Sequence, residues 1–424
     1  LILREMGKVA SCDAMLDFDA SDMFPCDFAS IFSQRIWRRI MNKYGFRLRQ
    51  FFLAASVPLA LSAFPSFAED GVSPTEIRLG MANAQTGPAA GLGTGMKAGA
   101  TAYFARVNAA GGVNGRKIEL VVKDDGYEPA RTASATEALI GTDKVYALFG
   151  YVGTPTSSAA VPIASKAQTP YLFPFTGAEF LRNPVNKWVF NVRASYFDET
   201  EAMVERLTKD LGTKKIAMLM QDDAFGEAVK GGIARALFKR NMKIHAESRI
   251  KRNSLEVDAA VDELKAAQPE AIIFVGTYKQ MAAAVKKAKA ANVSARFLTV
   301  SFIGTENFIA EAGAAGDGVF ITQVVPSPQD ASVPLVKNYQ ADVKAESLGY
   351  TSLEGYVNAM VFVEALKAAG AQPTRASLVT ALEALNTDVG GFKVKFSPAI
   401  HQGSSTVYVT KVQGGKAVSV SKLQ

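Results

Sequence analysis

Four hydroxyl-bearing residues crowd into the run "LFGYVGTPTSSAA" (148–160): Thr154, Thr156, Ser157 and Ser158 follow an apolar stretch that stops at Phe149. Such a loop can cradle a phosphate, present a nucleophile, hold an anion without reaction, or simply turn the chain. A phosphate cradle of the P-loop kind requires G-x-x-x-x-G-K-[ST], and the run has neither that spacing nor the lysine. A serine nucleophile requires a base, yet beyond the hydroxyls the chain offers only His245 and His401, and no G-x-S-x-G. His245 falls inside a predicted strand, where a structural role is expected. Two isolated histidines also make a poor zinc site. Gly93, Gly95 and Ala98 match G-x-G-x-x-A, but about ten residues separate them from the preceding strand, where a dinucleotide fingerprint continues at once.

Anion binding without reaction remains. A loop that leaves a strand and opens a helix presents free backbone N–H groups and the positive end of the helix dipole. Hydroxyls of Thr154, Thr156 and Ser157 can add donors, a set suited to a carboxylate. One of them can equally cap the helix, and the two roles are compatible. Paired aspartates recur in "VVKDDGYEPA" (121–130) and "LMQDDAFGEA" (219–228). At a strand's end before a helix they read as caps, with metal binding as the alternative.

These loops need strands and helices to carry them. "EIRLGMA" (76–82) reads as a first strand, followed by a helix from about Gly95 to Asn108 with Met96, Ala100, Tyr103, Phe104 and Val107 at helical spacing. "KIELVVKDD", a helix over 129–140, "VYALFG", a helix and "PYLFPF" continue the alternation. It restarts after "WVFNVRASY" with "KKIAMLMQDD", "MKIHAESRI", "AIIFVG" and "RFLTVS", each separated by a helical stretch. Strands alternating with helices imply βαβ units and parallel sheets, here in two sets. Crossings between the sets are expected near 191–196 and 323–328. In open α/β sheets ligands bind beyond the carboxyl ends of strands, so the cleft between the lobes is the expected site.

The 424 residues are 48 % hydrophobic and 21 % charged, enough core for two domains. From Met41 the chain runs "MNKYGFRLRQ" into "FFLAASVPLALSAF" and "PSFAED". A basic segment, an apolar stretch too short to span a bilayer, and small residues at Ser66 and Ala68 read as a signal peptide over 41–68, cleaved after Ala68. Residues 1–40 read as a non-native N-terminal extension. Cys12 and Cys26 lie within it, so the expected mature chain from Glu69 has no cysteine and no disulfide. The formal charge of +7 is spread without a dense basic block, so no nucleic-acid partner is expected. "KKAK" (286–289) reads as the solvated face of a helix.

The succession "TGPAAGLGTGMKAGATAY", "VNAAGGVNGRKIEL", "DDGYEPARTA", "GYVGTPTS" and "PFTGAEFLR" resembles the periplasmic leucine/isoleucine/valine-binding family, from about Ile77 to Gln413. Members are substrate-binding proteins of ABC importers. The resemblance implies an α/β type I periplasmic-binding-protein fold with two doubly wound lobes and a ligand cleft between them. Lobe 1 would comprise 75–192 plus about 325–390, and lobe 2 would comprise 193–324 plus about 391–420. It further implies a periplasmic monomer without cofactor or catalysis. Its partners would be a small-molecule ligand (an amino acid or organic acid) and an ABC permease in the inner membrane. A periplasmic sensor subunit is the alternative role.

Carried over to this chain, Thr154 would hold the ligand's carboxylate, and Thr176 and Gly177 would form the second loop of the site. Val152 and Gly153 would be backbone or wall contacts, with Tyr151 and Phe175 beside them as further ligand-binding residues. Phe225 and Tyr278 match aromatic positions of the second lobe. Leu92 stands where the amino-acid binders carry an aromatic residue, and Ser301 where they carry the acid that meets the α-ammonium. Either another acid such as Glu306 or Asp125 replaces it, or the ligand is an aromatic or aliphatic acid without an amino group, because an unpaired buried cation is costly.

Overall fold

The computed structural model describes residues 69–423; the expected extension, the signal peptide and both cysteines lie outside them. The first lobe opens with β1 (Glu76–Asn83), α1 (Ala90–Ala109), β2 (Lys117–Asp124), α2 (Pro129–Gly141), β3 (Ala147–Phe149), α3 (Thr154–Lys166), β4 (Tyr171–Leu172) and β5 (Val189–Phe190). Its sheet has the order β2-β1-β3-β4-β5 and is parallel throughout, with β1 and β2 in register from Glu76↔Lys117 to Asn83↔Asp124.

The second lobe follows with α4 (Tyr196–Leu211), β6 (Ile216–Gln221), α5 (Ala224–Phe238), β7 (Glu247–Ile250), α6 (Asp258–Ala266), β8 (Ala271–Val275), α7 (Tyr278–Ala290), β9 (Arg296–Thr299), α8 (Thr305–Ala312) and β10 (Phe320–Gln323). Every residue of β6 and β8 is buried. That is why "IAMLMQ" and "AIIFV" are unbroken apolar runs: helices cover a parallel sheet on both faces.

The chain then returns to the first lobe. α9 (Pro334–Asp342), α10 (Tyr350–Ala368) and α11 (Arg375–Glu383) pack there, Tyr356 of α10 lying edge-on to Tyr103 of α1 at 5.0 Å. The hairpin β11 (Asn386–Asp388) and β12 (Lys393–Lys395) stays with this lobe, because Phe396 meets Phe173 and Phe190 in its core. The return to lobe 2 is therefore later than the expected residue 391. Only β13 (Tyr408–Gln413) and β14 (Lys416–Ser419) join the second sheet, β13 antiparallel to β10, in the order β14-β13-β10-β9-β8-β6-β7. This third crossing is stitched to the first: Asn191 N–H donates to His401 O at 2.9 Å and Gly403 N–H to Asn191 O at 2.7 Å.

Two local readings also change. α1 begins at Ala90 rather than near Gly95. His245 precedes β7 instead of lying in it, and its Nε2 sits 2.8 Å from Ala267 O. The lysines of "KKAK" lie on α7, with Lys286 and Lys289 exposed.

Candidate functional site

Thr154, Thr176, Phe225, Tyr278 and Ser301 all lie just beyond the carboxyl ends of parallel strands, following β3, β4, β6, β8 and β9. Backbone pairing puts the first two side by side. Phe175 N–H donates to Tyr151 O at 2.7 Å and Gly153 N–H to Phe175 O at 3.1 Å, extending the sheet into the loops. The hydroxyls of Thr154 and Thr176 then lie 2.7 Å apart, both buried, and Thr176 Oγ1 bonds Tyr196 Oη at 3.2 Å.

The other hydroxyls of the loop are spent on their own helix. Thr156 and Ser157 donate to Gly153 O at 3.0 and 2.6 Å, and Ser158 donates to Thr154 O at 3.0 Å. Neither Thr156 nor Ser157 supplies the donor expected of it, and no side chain caps α3. Its N-cap is Gly153, whose φ of 107° disfavours any side chain. A Cβ there would lie 2.3 Å from the Tyr127 ring. The helix start therefore keeps the N–H groups of Thr154 and Thr156 without a side-chain cap, while Pro155 has none to offer.

Tyr151 departs from the expected set. Its hydroxyl meets Thr136 at 3.1 Å and its ring packs on Tyr171 at 4.9 Å, so the side chain belongs to the lobe interior, while its carbonyl pairs with the second loop. Val152 likewise contributes a backbone bridge, and Gly177 accepts Tyr196 N–H at 2.7 Å. Leu92 is buried against Gly304, across the lobes. Tyr278 reaches across the same junction, its hydroxyl accepting Gly91 N–H at 3.1 Å.

Ser301 is not isolated from charge. Its N–H and Oγ donate to the two oxygens of Glu199 at 2.8 and 3.0 Å, and Thr322 Oγ1 adds a third bond at 2.5 Å. Arg193 Nη2 bonds Ser301 Oγ and lies 3.4 Å from Glu199, while Nη1 lies 3.5 Å from Glu354. The guanidinium stacks 4.7 Å from the centre of the Phe175 ring. Arg193, Glu199 and Glu354 are each at most 3 % exposed. Burial pushes the Glu354 carboxyl up to about 7 against the pull of Arg193. For Arg193 burial acts downward, but Glu354 and Glu199 outweigh it and hold the guanidinium charged. Arg193 Nε and Nη1 have no hydrogen-bond partner. Arg182 frames this corner, donating to Ala178 O at 2.9 Å, Arg193 O at 3.2 Å and Gln402 Oε1 at 2.8 Å. One side chain thus ties the second loop to two crossings.

The acid beside Ser301 is therefore Glu199, not Glu306 or Asp125. Asp125 accepts Tyr127 N–H at 2.8 Å and the Thr132 hydroxyl at 2.9 Å, closing the turn after β2. Glu306 reaches across the lobes to Tyr350 N–H at 3.1 Å, at the start of α10, and burial lifts its carboxyl to about 7. Of the other paired aspartates, Asp223 caps α5, accepting Phe225 N–H at 2.9 Å.

The sequence reading missed Arg193, Glu199, Tyr196 and Phe302. Arg193 did carry a signal, a cation inside the apolar run "WVFNVRASY" at an expected crossing. Glu199 did not, since an acid in the first turn of a helix is ordinary.

Residues 76–417 match the family described as periplasmic binding protein. The leucine-, isoleucine-, valine-, threonine-, and alanine-binding protein of Pseudomonas aeruginosa is 25 % identical over 361 residues, 84 % of this chain and 94 % of that protein. A solved structure of a possible leucine/isoleucine/valine-binding protein from Rhodopirellula baltica superposes with a TM-score of 0.78 at 34 % identity, covering 82 % of this chain and 97 % of its own. A substrate-binding periplasmic protein from Ralstonia solanacearum gives 0.77 at 30 % identity, covering 81 % and 100 %. These relatives are binding proteins rather than enzymes. With its two largely parallel sheets and the loops at their carboxyl ends, the chain belongs to the periplasmic binding protein family, of the leucine/isoleucine/valine-binding type.

Proposed function

We propose that this chain is a solute-binding receptor of an ABC importer, exported by the segment 41–68 with cleavage after Ala68. It takes a small amino acid or related carboxylate between its lobes and delivers it, by hinge closure, to a permease in the inner membrane. The observation that carries this reading is the buried Thr154–Thr176 hydroxyl pair, 2.7 Å apart, at a helix start that no side chain caps. Two hydroxyls and backbone N–H groups in a site shielded from water form charge-assisted bonds to a carboxylate without a full countercharge. The names of the relatives point to the same ligand class.

A ligand without an amino group is favoured by one specific observation. Both oxygens of Glu199, the carboxylate beside Ser301, are already engaged by Ser301, Thr322 and Arg193. An α-ammonium placed there would compete with a fixed guanidinium.

Thermal shift decides between these ligands, because only a compound that binds the folded state raises its stability. The panel sets leucine, valine, threonine and alanine against aliphatic and aromatic acids that lack nitrogen. A rise with either group supports the receptor reading and selects the ligand class. No rise with any carboxylate overturns it.

A further inference from the structure

A closed circuit of side chains begins and ends at Thr176. Its hydroxyl bonds Tyr196, whose ring lies 5.5 Å from that of Phe225. Phe225 lies 4.5 Å from Phe302, and Phe302 lies 5.4 Å from Phe175, the residue before Thr176. Ring centres at these separations are in van der Waals contact. Phe175 comes from the first lobe, Phe225 and Phe302 from the second, and Tyr196 from the first crossing. Phe302 also meets Tyr127 of the first lobe at 6.1 Å, so its ring is wedged between the lobes. No residue of the circuit is more than 2 % exposed.

The backbone of Phe302 is anchored as well. It sits in a one-turn 3-10 segment, Ser301–Ile303, closed by Ile303 N–H to Val300 O at 3.1 Å. Ser301 is anchored through N–H and Oγ to Glu199, and Gly304 follows with a φ of 75°, its backbone pressed against Leu92. The turn that carries the ring is thus tied to Glu199.

We propose that Phe302 sets the length limit of the ligand. The site takes a compact carboxylate, amino-substituted or not, and rejects acids whose tail extends past the aromatic circuit. This rests on the carboxylate-receptor reading above. Thr176 adjoins the circuit through Phe175 and Tyr196, so a carboxylate fixed at the threonine pair meets these rings with its body, and a longer tail has to displace Phe302.

The test is calorimetry of the whole protein with L-valine, L-leucine, 3-methylbutyrate, 4-phenylbutyrate and octanoate, on the wild type, Phe302→Ala and the milder Phe302→Leu. The wild type is expected to bind at least one of the three compact compounds, and each of the two long acids at least tenfold more weakly. Either variant is expected to narrow that gap at least tenfold, by gaining the long acids and losing affinity for the compact ones. Octanoate binding the wild type as tightly as the compact acids overturns the inference even if neither variant folds. Folded variants with an unchanged ranking overturn it while the receptor reading stands. A wild type that binds none of the five overturns the receptor reading and this inference with it.

Discussion

Thr154 keeps its hydroxyl for another loop because of where it stands in its helix. Thr156, Ser157 and Ser158 each find a carbonyl three or four residues back within α3 or its cap, and they donate to it. Thr154 is the first helical residue, and its hydroxyl meets Thr176 instead. Thr154→Ala is expected to weaken carboxylate binding by about 1–3 kcal/mol, the range for a lost bond to a charged group. Thr154→Ser, which retains the oxygen, should restore most of it. Calorimetry with the ligand selected by thermal shift measures both, and unchanged affinity in Thr154→Ala removes the residue from the site. Glu199 carries a different kind of energy. It is fully buried and receives Arg193, Ser301 and Thr322, so Glu199→Ala leaves the buried guanidinium with Glu354 as its one acidic partner in the cluster and removes the acceptor of both hydroxyls. Removing one partner of such a pair costs about 3–5 kcal/mol, to be read as a lowered midpoint in urea denaturation.

At the level of elements, the turn from β3 into α3 is as demanding as the residues it presents. Gly153 combines a φ of 107° with a Cβ position 2.3 Å from the Tyr127 ring, whose hydroxyl accepts from Gln221 across the lobes at 3.2 Å. Gly153→Ala is therefore expected to cost roughly 1–3 kcal/mol in strain and to weaken ligand binding as well, since the helix start must shift. Thermal denaturation and calorimetry check the two effects; a stable variant with full affinity would refute the argument. Much of this level was legible beforehand. Unbroken apolar runs marked the buried strands, Gly and hydroxyl clusters marked the loops beyond them, and those loops do lie at strand ends. Two things were not legible. Which hydroxyl turns to the second loop depends on where the helix starts, and periodicity does not resolve that start to the residue. The Arg193 cluster joins residues from α4, α10, the turn after β9 and β10, so only the folded chain brings it together. The late third crossing has the same origin: "FKVKFS" alternates like any strand, and it is Phe396 packing on Phe190 that keeps it with the first lobe.

Across the whole molecule, the lobes meet through polar contacts as well as rings. Tyr278 takes Gly91 N–H, Arg252 pairs with Glu128 at 2.8 Å, and Glu306 takes Tyr350 N–H at 3.1 Å. Glu306 is the titrating member of this set. Its carboxyl stands at about 7 against an ordinary 4.5, raised by burial and drawn back only partly by backbone N–H groups. The groups facing it are Gly349, Tyr350 and Tyr339, and none supplies a countercharge. Separating the lobes would return Glu306 to water and to its ordinary value, so the joined form binds more protons between about pH 4.5 and about pH 7. Falling pH through that window must then favour the joined form, and rising pH must favour separation. Glu354, also at about 7 and buried against Arg193, adds to the same trend only if opening hydrates it. The expected result is a smaller radius of gyration by X-ray scattering at about pH 5 than at about pH 8 without added ligand, the difference shrinking in Glu306→Gln. A radius that grows on acidification, or a difference that Glu306→Gln leaves unchanged, would mean that protonated Glu306 does not hold the lobes together, and the assignment of the latch to Glu306 would fall.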